Sequence, residues 1–410
     1  MKKPFRIQTS TIGSWAKCYQ VSNGVVELLI VPAIGARTLQ YGLPGQKLLW
    51  QNQSLTGKSF SYTERLGDAT QAAWKNYGGE KIWVAPQVWK NNQQWPGPPD
   101  PVLDSGEYHL LSINNLQQQL HLSFISPSDE GKTGIQIRKN YYLEAETSRV
   151  KLITEFENIS CTPITWSIWE NMQLNCESKS GWNQQIYVTI PTNTGYQILY
   201  GDTDNPQWDY QMEQSLVQIH YQNLVGKLGF KQKQGWLAYF NGETGDTCVL
   251  EYAAPFAQQQ DFPDGGCSLE CWTNGAGVLQ GVDWGSSGYH YLEAEILSPK
   301  QIIQPRMTIS YQLEWSTCRC TGPVKLVNPA GVVVQTIQRH ADRLFGDYGV
   351  FGNGILYLKL RNSGHTTWQE LSKVSPEHPV HVDIENIAPM GEVLLKNSKG
   401  NYLLLDSWNE

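Results

Sequence analysis

The residues best suited to chemistry stand close together between Tyr77 and Asp104, in the stretch YGGEKIWVAPQVWKNNQQWPGPPDPVLD. Three tryptophans (Trp83, Trp89 and Trp95) are set among amides, glycines and prolines. Amide side chains offer both donors and acceptors to hydroxyls, and indole rings stack on the C–H faces of a pyranose. The stretch therefore reads as the floor or rim of a carbohydrate site. Lys81 and Trp83 share one face of a short strand. Gln87, just after Pro86, is the hydroxyl partner, and Trp95 is a ring held in place by neighbouring prolines. Glu270, in Glu270-Cys271-Trp272, adds a carboxylate in an apolar setting. The plainer reading is a Trp-rich core strand followed by a stiff surface loop, with Lys81 an ordinary surface lysine.

The surrounding elements read as strands. Val25 to Val31 is an apolar run closed by Pro32, Gly35 allows a turn, and Arg37 to Tyr41 returns. Gln51 to Asn76 has little periodicity and reads as a long excursion with a helical turn near Leu66 to Trp74. From His109 the chain alternates apolar and polar residues. In Arg149 to Asn158, for example, Val150, Leu152, Thr154 and Phe156 face one way and Lys151, Ile153, Glu155 and Glu157 the other. About a dozen such runs with short turns and no intervening helices predict two large antiparallel sheets packed face to face over residues 1–316. Residues 317–410 carry their own strands, including a hairpin turning at Asn397 to Gly400, and predict a small immunoglobulin-like β-sandwich. The fold class is thus all-β.

Composition narrows the partners. The 410 residues carry a net charge of −7 and only 17% charged residues, against roughly 25% in an average soluble protein. No cluster of Lys and Arg forms a basic stripe, which argues against nucleic acid. No apolar run is long enough to span a membrane. The eight cysteines are too sparse for a disulfide scaffold and lack zinc-ligand spacing. Reduced thiols and the absence of an apolar leader in MKKPFRIQTSTIGSW point to a cytoplasmic protein with no metal and no cofactor.

Several separated segments resemble the galactose mutarotase-like (aldose 1-epimerase-like) superfamily, in order, over residues 5 to 315. They are NGVVELLIVPAIGARTLQYGLPGQKLLW, GGEKIWVAPQ, TGIQIRKNYYLEAETSRVKLITEFENIS, TPITWSIWENMQL, and YHYLEAEILSP followed by QPRMTISYQLEW. The G-G-x-K-x-W-x-A-P-Q signature is similar to an uncharacterised branch. The resemblance implies a β-supersandwich that binds carbohydrate on its concave sheet. In that family a carboxylate takes the proton of the anomeric hydroxyl while a histidine protonates the ring oxygen. Glu293 matches the family's base. Trp169 stands where the histidine belongs, with Glu170 beside it; His290 or Glu170 would have to supply the acid. Arg306 replaces the glycine of the proline-glycine turn, and Gln87 replaces the start of the Asn-Arg pair. If Glu270 and Glu293 converge, one of them would have a raised pKa and serve as a base. The expected function is binding of a neutral sugar or oligosaccharide with the catalytic histidine replaced. The alternatives are an aldose or hexose-phosphate 1-epimerase using Glu293, a polysaccharide lyase or glycoside hydrolase-like enzyme, and a structural interaction protein.

Overall fold

A computed structural model describes residues 5–66, 75–86, 100–211, 214–254, 257–258, 261–279, 282–362, 365–385 and 388–409. Gln87 and Trp95 lie outside these residues, as does most of the helical turn expected up to Trp74; the described helix is Tyr62–Leu66.

Two large antiparallel sheets are packed face to face. The front sheet has eleven strands. Its order is Arg6–Ile12, Trp15–Ser22, Glu27–Val31, Arg37–Gly42, Glu80–Ala85, Ile164–Asn175, Tyr291–Leu297, Leu269–Thr273, Gly226–Phe230 and Gln197–Tyr200, with Gln301–Ile303 paired to the start of Ile164–Asn175. The back sheet has ten strands and centres on Asp246–Ala253, Thr308–Arg319, Val150–Asn158 and Ile135–Glu144. Alternation dictates the packing. In Val150–Asn158 every second residue from Val150 is buried, and Val150, Leu152 and Phe156 join Ile82, Val84, Met172, Leu174, Leu292 and Ile296 in one core.

Strand ends are set by local chemistry. The side chain of Asn23 accepts hydrogen bonds from the amides of Val25 and Val26 and so fixes the turn into Glu27–Val31. At the end of that strand a short 3-10 turn over Pro32–Ile34 closes on Gly35, whose φ of 84° lies in the left-handed region that favours glycine.

Ionic groups also sit between the sheets. Lys139 Nζ donates to both carboxylate oxygens of Glu80 at 2.8 and 2.9 Å. Glu170 accepts from Trp315 Nε1 at 2.6 Å in the same interior.

The C-terminal region forms two four-stranded sheets. One contains Leu326–Asn328, Gly331–His340, Arg343–Val350 and Val380–Glu385; the other contains His365–Val374, Gly354–Asn362, Met390–Asn397 and Tyr402–Trp408. They enclose a core of their own around Val333, Leu344, Tyr348, Leu356, Leu358, Val393 and Leu405. The strand Thr308–Arg319 does not stop at residue 316 but continues three residues beyond it. Its end joins a second core in which Ala238, Phe240, Val249 and Cys318 of the large sandwich meet Val324, Val332 and Phe351. All eight cysteines are free. Among the described residues no helix is long and apolar enough to cross a membrane.

Candidate functional site

The outer face of the front sheet carries a row of buried polar side chains. Strand pairing explains why they meet. Lys81 lies opposite Asn171, Asn171 opposite Glu295, and Glu295 opposite Glu270. One step along, Gln173 lies opposite Glu293, Glu293 opposite Trp272, and Trp272 opposite Lys227. Residues paired directly across antiparallel strands project on the same side of the sheet. These two rows therefore form one polar grid across five strands.

Gly78 and Gly79 make the entry to this grid possible. Both have positive φ, and an added Cβ would lie 2.2 Å from Trp50 O at Gly78 and 2.4 Å from Thr38 O at Gly79. The chain therefore hugs its neighbours before entering Glu80–Ala85, which carries Lys81 and Trp83.

Glu293 is the most heavily held carboxylate of the grid. Lys81 Nζ and Gln173 Nε2 donate to its Oε1 at 3.1 and 2.7 Å, and Asn171 Nδ2 donates to Oε2 at 3.0 Å. Lys81 Nζ also donates to Asn171 Oδ1 at 2.9 Å. Burial pushes the Glu293 carboxyl up, but the Lys81 charge and the amide donors outweigh it and hold it below its ordinary value. Glu293 is thus an ionised carboxylate. Two oxygens offer about four acceptor sites, so three donors leave room for one more.

The neighbouring acids behave differently. Lys227 Nζ lies 2.5 Å from Glu270 Oε2 and 2.9 Å from Glu295 Oε2. One ammonium serves two carboxyls that are both buried. Burial raises the Glu295 pKa to about 7 against the pull of Lys227, with Glu293 adding to the rise. Burial likewise drives Glu270 well above its ordinary value, Lys227 opposing and Asp264 and Glu295 adding. The pair holds a proton near neutral pH, and the titration belongs to the pair.

Aromatic rings border the grid at both ends. Trp83 and Trp169 meet edge to face with centroids 5.3 Å apart. Trp83 Nε1 donates to Asp104, which also pairs with Arg37. Lys227 Nζ lies 5.0 Å from the Trp169 ring and Lys81 Nζ 4.7 Å from the Trp83 ring. At the other end Trp50, Tyr291 and Trp272 pack together with Tyr289 and Trp284. The buried polar atoms of the site with no hydrogen-bond partner among the described residues include Trp169 Nε1, Gln173 Oε1 and Glu270 Oε1. Such orphans are rare in folded proteins and call for a partner.

Of the residues expected from the sequence, Lys81, Trp83, Trp169, Glu270 and Glu293 share this face. Glu170 does not. It alternates with Trp169 along the strand and so points inward to Trp315, away from the grid. His290 is also off the grid, three residues from Glu293 and hence out of phase with it; its Nδ1 lies 3.0 Å from Asn223 Oδ1. Glu270 faces Glu295 rather than Glu293. Sequence reasoning missed Asn171, Gln173, Lys227 and the pairing role of Glu295. The every-second-residue pattern Trp169, Asn171, Gln173 was a usable signal for the first two. Among the described residues no cluster of His, Cys, Asp or Glu could hold a metal ion.

Residues 17–316 match the family described as "Domain of unknown function (DUF4380)". Among solved structures, a putative aldose 1-epimerase from Klebsiella pneumoniae is similar with a TM-score of 0.52 and 11% identity, over 76% of this chain and 83% of its own. A TPR-domain containing protein from Parabacteroides distasonis has a TM-score of 0.50 and 13% identity, over 73% of this chain and 47% of its own. A galactose mutarotase-like protein from Clostridium acetobutylicum has a TM-score of 0.49 and 13% identity, over 78% of this chain and all of its own. The first of these likenesses is of fold, which this chain shares with the putative aldose 1-epimerase. No curated protein sequence matches the chain.

Proposed function

We propose that this chain, which belongs to the DUF4380 family, binds a sugar or oligosaccharide on the outer face of its front sheet, with no histidine at the reacting position. One observation carries the reading: buried, unpartnered Trp169 Nε1, Gln173 Oε1 and Glu270 Oε1 lie on a polar grid bordered by indole rings. A pyranose supplies both hydroxyls for the orphaned atoms and C–H faces for the rings. Calorimetric titration with hexoses, hexose phosphates and short oligosaccharides tests it. Binding at millimolar concentration or tighter is expected, weakened at least tenfold in Trp169→Ala. No heat with any of these sugars overturns the reading.

A second reading rests on two buried carboxyls, Glu270 and Glu295, served by the single Lys227 ammonium, with burial raising the pKa of both. In a 1-epimerase, Glu293 would accept the anomeric hydroxyl proton as the bond from C1 to the ring oxygen opens. The Glu270–Glu295 carboxyl would deliver a proton to the ring oxygen, and closure after rotation would return both protons. Anomer exchange followed by NMR distinguishes the readings. A rate above buffer that falls at least a hundredfold in both Glu293→Gln and Glu270→Gln supports catalysis; a rate no faster than buffer leaves binding alone.

A further inference from the structure

A second aromatic surface lies on the C-terminal sandwich. In the sheet of His365–Val374, Gly354–Asn362, Met390–Asn397 and Tyr402–Trp408, alternation buries Leu356, Leu358, Val393 and Leu395. The other side turns outward. Glu370 lies opposite Tyr357, Trp368 opposite Lys359, and Lys396 opposite Tyr402. Trp368 is 48% exposed and Tyr402 43%. The ring centroids of Trp368 and Tyr402 are 4.8 Å apart, and those of Tyr357 and Tyr402 are 5.6 Å apart. Their planes are inclined by 52° and 75°, so the cluster fits one bent chain better than a flat crystalline surface. Exposed ring clusters of this kind mark interaction sites.

Charge selects the partner. Lys359 and Arg361 both reach Glu392, at 3.0 and 2.6 Å. Glu370 accepts the Tyr357 hydroxyl. Lys396 Nζ stands 5.4 Å from the Tyr402 ring centroid and 5.7 Å from that of Tyr357, and Lys373 lies opposite outward-facing Ile355. The face therefore holds four cations (Lys359, Arg361, Lys373, Lys396) and two carboxylates (Glu370, Glu392). The chain as a whole carries −7. A second copy would set the same excess of cations against itself. The complement is a polymer with apolar C–H faces and anionic groups.

We propose that this sheet face binds an acidic polysaccharide, with sugar rings against Trp368 and Tyr402 and the acid groups on Lys396. The site is separate from the front-face grid and makes a polymer, rather than a single sugar, the ligand held there.

Affinity electrophoresis of the full chain tests it, with polygalacturonate, dextran sulfate or neutral dextran in the gel. Retardation by either polyanion, and not by neutral dextran, is expected; the polymer that acts identifies the acid group. Trp368→Ala should weaken it about tenfold, and Lys396→Gln should weaken it and reduce its salt dependence. Both side chains are surface groups, so the variants fold. Front-face binding of small sugars, read by calorimetry, should be unchanged in both. Equal retardation by neutral dextran, wild-type retardation in both variants, or displacement by a single-stranded oligonucleotide that binds more tightly overturns the proposal. So does a concentration-dependent dimer that Trp368→Ala dissolves. Absence of small-sugar binding in the parent chain, with its retardation by polyanions present and weakened in the variants, would instead count against the front-face reading alone.

Discussion

Glu293 and Glu295 are two residues apart on one strand face, yet they live in opposite electrostatic conditions. Glu293 has an ammonium and two amides largely to itself, while Glu295 shares Lys227 with Glu270. The first consequence concerns stability. Glu293→Gln leaves the Lys81 ammonium buried without its counter-charge, which should cost about 3 kcal/mol in urea unfolding. The double variant Lys81→Met/Glu293→Leu should lose less than the sum of its single changes. The second concerns pH. The folded-state pKa of Glu295, about 7, stands above its ordinary 4.5. Its stabilising contribution is therefore complete below pH 4.5 and lost as pH rises through 7. Glu293 has the reverse sign, contributing above its ordinary value and losing that contribution as the medium acidifies. Unfolding free energies measured in steps from pH 4.5 to 7.5 should decline less steeply in Glu295→Gln than in the parent; an identical slope would show that Glu295 is not raised. That Glu293 and Glu295 share a face was legible from their spacing. That Glu295 rather than Glu293 meets Glu270 was not, because register between strands remote in sequence is a tertiary property.

Strands with clean alternation were the readable elements. Val150–Asn158 falls within one residue of the alternating run from Arg149 to Asn158, since a half-buried strand writes its period into the chain. Gly226–Phe230 was invisible. GKLGF has two glycines and no alternation, and so its Lys227 went unnoticed. Arg343–Val350 and His365–Val374 were also missed; the latter is exposed along nearly its whole length, so burial imposes no pattern on it. Gly78 and Gly79 open the GGEKIWVAPQ segment, but their close packing on neighbouring backbone depends on strands remote in sequence. Replacing either with alanine forces a Cβ against backbone carbonyl oxygen at positive φ. Each change should cost about 2 kcal/mol or more in thermal unfolding. It should also weaken small-sugar binding, because the strand bearing Lys81 and Trp83 must shift.

At the scale of the molecule, the large and small sandwiches share a core as well as each having its own. Phe351 packs with Ala238, Phe240, Val249 and Cys318. Arg149 lies over its ring, donates to Glu251 at 3.0 Å, pairs with Glu314 and reaches Pro329 O at 2.9 Å. Calorimetry of the full chain should therefore show one transition. Phe351→Ala, at a cost of about 3 kcal/mol, should separate it into two. A parent chain that already melts in two steps would contradict this coupling. Two sandwiches were legible in the sequence from the density of strand patterns; the apolar seam between them was not, because no period marks which surface residues of one meet those of the other.

The strand Thr308–Arg319 belongs to the back sheet along most of its length and ends inside that seam. Most multidomain chains leave slack at this point and swing there. Here the strand pairs with Val150–Asn158 over Thr308 to Trp315 and with Asp246–Ala253 over Leu313 to Arg319, so paired backbone runs right up to the seam. The proposed sugar binding should therefore proceed without hinge closure. Small-angle scattering should give one radius of gyration whether sugar is absent or saturating.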